Sequence, residues 1–272
     1  MNEREYNEAE GIRRSDLWKM EDSPEKFKYF SEHPVEQTPA MAFGSMCHKV
    51  ILEPETFGDE YAIAPAGIDK RTKEGKAMWE EFMANAAGKT IVSSDDAMTM
   101  SDMEVALERC PLALKLLRGK GESEVPFFWT DPETGEKCKV KLDRLVKYNR
   151  RWYVVDYKTT QCAETNRFNS DMWKLGYYMQ AAMYTEGVQR AKKKKKRPGF
   201  LFVAQEKKAP YSVNVIEVSE EVMNAGYAKF HELLEKYHNC KIADLWPGYV
   251  SDVPNDAFVP TWMQAAMEDE FE

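Results

Sequence analysis

Asp156-Tyr157-Lys158 is the segment of this chain whose residue types could most directly do chemistry. It follows the apolar, β-branched and aromatic stretch Trp152–Val155. Side chains i and i+2 of a strand share a face, so Asp156 and Lys158 project together and Tyr157 points the other way. Taken alone, the tripeptide also fits a solvated strand end with a modest Asp–Lys contact, because burying either charge unpaired is costly. The preceding strand adds a second acid. A hairpin folded around Asn149–Arg151 pairs positions whose numbers sum to about 300, which brings Asp143 opposite Tyr157 and diagonal to Asp156 and Lys158. Two carboxylates and a lysine at one sheet edge form a hard, oxygen-rich site suited to Mg²⁺ or Mn²⁺. Without a cation the two acids repel each other.

Two helical spacings add candidates. Gly44-x-x-x-His48 sets a small residue one turn before a histidine, which allows another backbone to approach while the imidazole reaches inward. A histidine on such a face also fits a satisfied core position. Gln180-x-x-x-Tyr184 puts an amide and a phenol on one face, with Tyr177 one turn earlier, and this also fits a core-facing stripe.

The elements that must position these residues are legible in outline. Ser15 caps a helix through Asp16–Trp18, Ser23-Pro24 opens a second, and Met41–Leu52 forms a third that ends at Glu53-Pro54. Further helices are expected over Lys73–Ala86, from a Ser93 or Ser94 cap to about Arg109, and from Pro111. Ser123–Thr130, Lys137–Tyr148 and Trp152–Thr159 then read as a three-stranded antiparallel meander, with turn chemistry at Asp131–Gly135. A helix over Asp171–Glu186, strands at Gly199–Gln205 and Tyr211–Val218, and a helix from Ser219 to about His238 complete the pattern. The expected fold class is α/β (α+β), with a mixed central sheet containing an antiparallel meander and flanked by helices. One domain is expected over 1–250, comprising a helical part over 1–120, a sheet core over 121–218 and a helix over 219–238, followed by an acidic tail over 251–272.

Composition sets bounds. A chain of 272 residues with 43% hydrophobic and 31% charged residues can build a sizeable core and excludes disordered, collagen-like or coiled-coil classes. The formal charge of −8 is unevenly spread: Ser251–Glu272 holds six acids and no base, whereas Arg190–Arg197 holds seven bases in eight residues. The run Lys192–Arg197 fits either a solvated turn or a contact with duplex phosphates. The five cysteines contain no CxxC pair, so neither a zinc site nor an iron–sulfur cluster of close thiolates is expected. Free thiols, the lack of an apolar leader and the lack of an 18-residue apolar run lead us to expect a cytoplasmic protein without a membrane span.

Taken in order, these residues resemble the PD-(D/E)xK nuclease superfamily, and within it the RecB-like branch. That branch shows a G-x-x-x-H helix, an acid on one strand, D/E-x-K on the next and a Q-x-x-x-Y helix. Here they are GSMCH (44–48), KLD (141–143), DYK (156–158) and QAAMY (180–184). Over residues 6–250 the context is similar to the RecE (exonuclease VIII) nuclease domain, on GIRRSDLWKMEDSPEKF, DKRTKEGKAMWEEF and SEVPFFW. Lys141 stands where many RecB-like enzymes have glycine.

The resemblance implies a restriction-endonuclease-like core and a role for each residue. Asp143 and Asp156 would be metal ligands, His48 would complete the sphere, and the backbone carbonyl of Tyr157 would be a further ligand. One or two Mg²⁺ or Mn²⁺ ions would activate water, while Lys158 would orient or deprotonate it and stabilise charge on the phosphate. Glu124, otherwise a surface glutamate, would be an auxiliary acid. Gln180 and Tyr184 would support the site or touch the nucleic-acid backbone, and Lys141 and Tyr177 would contact DNA; Arg71, like Lys192–Arg197, fits either a solvated position or a contact with duplex phosphates. No iron–sulfur cluster is implied. The implied activity is a 5′-to-3′ exodeoxyribonuclease on linear double-stranded DNA that leaves 3′ single strands. A homo-oligomeric ring and a RecT-like single-strand annealing partner are implied with it, in a phage or prophage recombination system of the bacterial cytoplasm. An endonuclease or repair nuclease on the same core, and a catalytically inactive DNA-binding module, are the alternatives.

Overall fold

Asn149 and Arg150 both adopt left-handed backbone (φ 46° and 66°) and close a two-residue hairpin. Turns of this hand match the right-handed twist of the strands they join, so they lock register. The pairs run from Tyr148 opposite Arg151 to Arg144 opposite Val155, so paired numbers sum to 299. This lies within one residue of the sequence expectation.

The computed structural model describes residues 3–249 and 252–259. Its helices are α1 (Glu3–Glu8), α2 (Arg14–Asp22), α3 (Pro24–Glu32), α4 (Pro39–Leu52), α5 (Phe57–Glu60), α6 (Lys73–Asn85), α7 (Ser94–Glu108), α8 (Pro111–Arg118), α9 (Thr165–Lys174), α10 (Tyr177–Ala191) and α11 (Glu220–Ala243). Its strands are β1 (Tyr61–Ile63), β2 (Thr90–Val92), β3 (Gly121–Thr130), β4 (Lys137–Tyr148), β5 (Arg151–Thr160), β6 (Gly199–Glu206) and β7 (Val213–Glu217). The main sheet has the order β3-β4-β5-β6-β7. It is antiparallel except between β5 and β6, which the α9–α10 crossover joins in parallel. The fold is therefore a mixed α/β sheet flanked by helices, as expected.

The sheet separates two cores. Val154, Leu142 and Phe202 pack with α10 and α11 through Met179, Ala181, Phe230 and Leu233. Val155, Tyr157 and Val203 pack on the opposite side with α4, α7 and α8 through Cys47, Met103 and Leu116. Consecutive residues of β5 thus enter different cores, as the strand pleat requires. Among the described residues, no helix is long and apolar enough to cross a membrane.

The structure corrects several local expectations. The single helix expected over Asp171–Glu186 is two, α9 and α10, broken at Gly176 in left-handed conformation (φ 68°), where a Cβ would lie 2.5 Å from the Trp18 ring. The cap of α2 is Arg13 without a side-chain cap bond, because Ser15 already lies inside the helix. The C-terminal helix runs five residues further than expected, to Ala243. The short parallel pair β1–β2 had no clear sequence signal. Of the expected acidic tail, residues 252–259 are exposed and carry neither helix nor strand, and the rest lies outside the described residues.

Close approach falls on different glycines from the one expected. A Cβ on Gly44 would sit 3.5 Å from Thr159 Oγ1, an ordinary contact, so a helix packed on β5 does not require glycine there. A Cβ on Gly226 of α11 would sit 2.3 Å from the Tyr178 carbonyl oxygen, so α11 needs glycine to lie against α10. Gly226→Ala is expected to lower stability by about 1–3 kcal/mol, the usual cost of overpacking. Gly44→Ala, in a helix interior with room for a methyl, is expected to raise it by about 0.5–1 kcal/mol. Urea midpoints of the two variants check this, and the opposite order would contradict the packing described.

Candidate active site

The hairpin register, α4 and α10 bring the candidate side chains to one end of the sheet. The Asp156 side chain is 2% exposed, and its Oδ2 lies 2.6 Å from Lys158 Nζ. Gln180 Nε2 of α10 donates to Asp156 Oδ1. On β4, Asp143 Oδ2 accepts the Tyr157 N–H at 2.8 Å and lies 3.4 Å from His48 Nδ1 of α4. The Tyr157 ring projects to the far side of the sheet, where its hydroxyl donates to Gln205 Oε1 at 2.7 Å, so only its backbone faces the site. The His48 ring packs edge-on against that tyrosine, with centroids 5.3 Å apart. On edge strand β3 the register sets Glu124 opposite Asp143, and its Oε2 lies 2.7 Å from Lys141 Nζ. Glu124 has φ 50°, a strained conformation of the kind that gathers at functional sites. Lys158 Nζ sits 4.9 Å from the centre of the Tyr177 ring.

Burial dominates the electrostatics. It pushes Asp156 up to about 6: Lys158 opposes the rise and Asp143 adds to it. Asp143 and Glu124 are raised by burial as well, Glu124 further by its neighbour Asp143. Burial and the Lys158 charge hold His48 down to about 4, so its imidazole is neutral near pH 7. Burial alone would lower Lys158, but Asp156 and Asp143 outweigh it and raise the ammonium above its usual range. Tyr184 is pushed well above its usual range by burial and then by Asp156, and stays a neutral phenol.

Arg71 does not join this group. It pairs with Asp69 at 2.9 Å on an exposed loop before α6. Arg14 does join it and was missed from sequence. Its guanidinium lies 5.5 Å from the Trp18 ring centre and 5.7 Å from that of Tyr177, and donates to the Leu175 carbonyl. Its Nε is buried without a hydrogen bond. Burial lowers its pKa, against the pull of Tyr184, Tyr177 and Asp156. The one available signal was the i, i+4 spacing of Arg14 and Trp18, which fits any helix surface.

These residues fit a hard divalent cation. Among the described residues no three His, Cys, Asp or Glu side chains already stand together as a cage. Each acid is held by a neighbour instead: Asp156 by Lys158 and Gln180, Glu124 by Lys141, Asp143 by a backbone N–H. Asp156 Oδ2 is buried, and the one group that answers it is the Lys158 ammonium at 2.6 Å. A buried carboxylate, a second, mostly covered acid and a neutral imidazole form the donor set such an ion takes.

Comparison with known proteins agrees with this geometry. The family described as "PDDEXK-like domain of unknown function (DUF3799)" matches residues 14–253. A candidate exonuclease from Eubacterium rectale has a solved structure that aligns over 97% of this chain and 97% of its own, with a TM-score of 0.63 at 13% identity. At that identity the likeness shows fold alone. The solved structure of SSO0001 covers 84% of this chain and 77% of its own at 12% identity, and its TM-score of 0.38 carries no argument. No curated protein matches the chain in sequence.

The ionisation states predict how a metal would bind with pH. As pH falls through about 6, Asp156 takes up a proton that competes with a cation, whereas His48 stays neutral down to about 4. Mn²⁺ affinity measured by calorimetry is expected to be level above pH 7 and to drop about tenfold per unit below 6, since ligands must be deprotonated to bind. A flat profile between pH 7.5 and 5 would show that Asp156 is not a ligand.

Proposed function

The chain belongs to the PDDEXK-like domain family, and from that membership we propose that it is a divalent-metal-dependent deoxyribonuclease. The observation that carries the proposal is the convergence of Asp143, Asp156, Lys158 and His48 at one end of the sheet, from three separate elements. Asp143, Asp156 and His48 would hold the cation, with the Tyr157 carbonyl as a further ligand and Glu124 as an auxiliary acid. Such an ion lowers the pKa of water and takes up charge on the leaving oxygen.

The remaining work falls to the chain's own residues. Lys158 keeps its proton, because its two neighbouring acids outweigh burial. As a cation it can stabilise charge on the phosphate in the transition state. Gln180 ties down Asp156 Oδ1 and leaves Oδ2 turned to Lys158. The Tyr177 ring lies against Lys158, neutral Tyr184 lies near Asp156 and Asp143, and Lys141 offers a second cation at the rim.

The finer reading is a RecE-like exonuclease that degrades linear double-stranded DNA from its 5′ ends, with Mg²⁺ as the natural ion. It would act as a ring of identical subunits in the cytoplasm of a phage-carrying bacterium and pass 3′ single strands to an annealing protein. Its support is the order GSMCH, KLD, DYK, QAAMY and a fold shared with a candidate exonuclease.

Two measurements test the proposal. With Mg²⁺ or Mn²⁺, wild-type protein is expected to release nucleotides from 5′-labelled linear duplex and to leave closed circles intact. Lys158→Ala is expected to lose at least ~10²-fold in rate with an unchanged melting curve, the scale for removing one electrostatic group. Cleavage of closed circles would assign an endonuclease. DNA binding without cleavage under any divalent ion would overturn the enzyme reading in favour of an inactive binding module.

A further inference from the structure

A second feature lies beyond the candidate active site. The seven residues between α10 and β6 carry the densest positive charge of the chain, and although Lys192–Arg197 are exposed, as a solvated turn would be, the segment is tied to α10. Gln189, on the last turn of α10, ties them down from within: its carbonyl accepts the Lys194 N–H at 2.9 Å, its Nε2 donates to the Lys195 carbonyl at 3.3 Å, and its Oε1 accepts Arg197 Nε at 2.9 Å. The Arg197 guanidinium lies 3.7 Å from the Tyr227 ring centre and 3.6 Å from buried Glu186. So anchored, the segment walls a groove of about 690 Å³ with the β4–β5 turn opposite. Seven cations line the groove, from Arg150, Arg151, Lys192 and the Lys194–Arg197 run, against Glu122 as its one lining carboxylate among the described residues. Lys192 answers Glu122 at 3.2 Å, while no carboxylate among the described residues pairs with Arg150, Lys194, Lys195 or Lys196. At the foot of the groove Trp152 is 45% exposed, with Lys192 Nζ 6.0 Å from its ring centre.

Charge concentrated like this in an acidic protein repels itself unless an anion neutralises it. The exposed indole narrows the choice of anion. Cations tracking a backbone beside an aromatic face are what an unpaired nucleic-acid strand needs, since its bases stack on the ring and its phosphates meet the lysines. A duplex hides its base faces, and a lipid surface offers none. The groove also adjoins the candidate site. Glu122 lines it, and Glu124, two residues further along edge strand β3, is about 7 Å away by the rise of a strand. The longer way along β5, four residues from Trp152 to Asp156, is closed because Val154 lies fully buried in the core that α10 shares. The link that remains between groove and site is edge strand β3, where Glu122 and Glu124 are both partly exposed.

We propose that this groove binds single-stranded nucleic acid, stacking a base on Trp152 and neutralising phosphates with Lys194, Lys195 and Lys196, and that it holds a strand extending from the candidate active site along β3. The choice of nucleic acid rests on the nuclease reading, and the test separates the two. Fluorescence anisotropy of a labelled thymidylate oligonucleotide, in EDTA so that nothing is cut, compares wild type with the triple variant Lys194→Glu, Lys195→Glu, Lys196→Glu and with Trp152→Ala and Trp152→Phe. Melting curves and Mn²⁺ affinity establish that each variant is folded.

The triple variant is expected to bind at least ~10-fold more weakly and to lower the slope of log affinity against log salt by about 2, near 0.7 for each lost phosphate contact. Trp152→Ala is expected to lose about 5- to 100-fold, the range for one stacked base, and Trp152→Phe to keep most of the affinity. Wild-type affinity in both the triple variant and Trp152→Ala overturns the proposal. So does tighter wild-type binding to phosphatidylserine vesicles or polyglutamate than to the oligonucleotide. A preference for blunt duplex that does not depend on Trp152 overturns it as well. If wild type cleaves linear duplex while the groove variants bind the oligonucleotide normally, the groove assignment alone fails. If no divalent ion elicits cleavage yet the groove variants lose binding, the nuclease reading alone fails and the groove assignment stands.

Discussion

Two carboxylates, Asp143 and Asp156, are brought to one end of a sheet with little exposure to water, and the surrounding structure answers that single electrostatic problem. Burial raises both acids, and each is then partly compensated by what lies nearest: Lys158 and Gln180 for Asp156, the Tyr157 N–H for Asp143. The compensation is incomplete, because Asp156 stays raised to about 6 despite the Lys158 ammonium 2.6 Å from its Oδ2. A buried pair left in that state costs stability, and a fold keeps it only where something else selects for it. The neutral imidazole of His48 adds a donor without adding charge, which a protonated histidine would not do.

The partners of these acids come from elements whose positions are fixed elsewhere. Gln180 reaches Asp156 only because α10 lies close on the sheet, and α11 holds α10 there through the contact of Gly226 with Tyr178. A second ionic network fastens α11 in turn. Glu186 of α10 is fully buried and held below its usual range, since His231, Arg190 and Arg197 outweigh the effect of burial. Glu136, beside the β3–β4 turn, is likewise shared by His238 and Lys241 of α11. These bonds lie outside the candidate site, and they set the frame on which its geometry rests.

What could be read in the sequence follows from how local each constraint is. The register that joins Asp143 to Asp156 was legible to within one residue, because a tight turn at Asn149 and Arg150 and the alternation of β5 fix it over a few positions. The placement of Gln180, His48 and Tyr177 followed once helical spacing was combined with family resemblance. The break at Gly176 was not legible. An isolated glycine in a helical pattern is usually tolerated, and only the Trp18 ring, some 160 residues earlier in the chain, forbids a side chain there. Arg14 escaped for the same reason, since its neighbours Tyr177 and Leu175 are distant in sequence. Gly44 was overvalued: its motif suggested a close approach, but the space around it admits a methyl group.

Net charge proved the weakest guide to function, and the reason is physical. A value of −8 summed over 272 residues describes the field far from the molecule, where salt screens it within about 10 Å at ordinary ionic strength. A phosphate at the surface responds instead to the charges within that distance. Near the candidate site these are Lys158, Lys141 and Arg14. At the groove they are Arg150, Arg151 and the lysines that Gln189 holds in place. Six of the acids that make the total negative lie in Ser251–Glu272, which holds no base, and others are taken up in i, i+4 pairs such as Lys26–Asp22, Lys28–Glu32 and Lys49–Glu53. An acidic chain can therefore present a locally cationic surface, provided its backbone fixes where the lysines stand, and the hydrogen bonds of Gln189 do that for the run between α10 and β6.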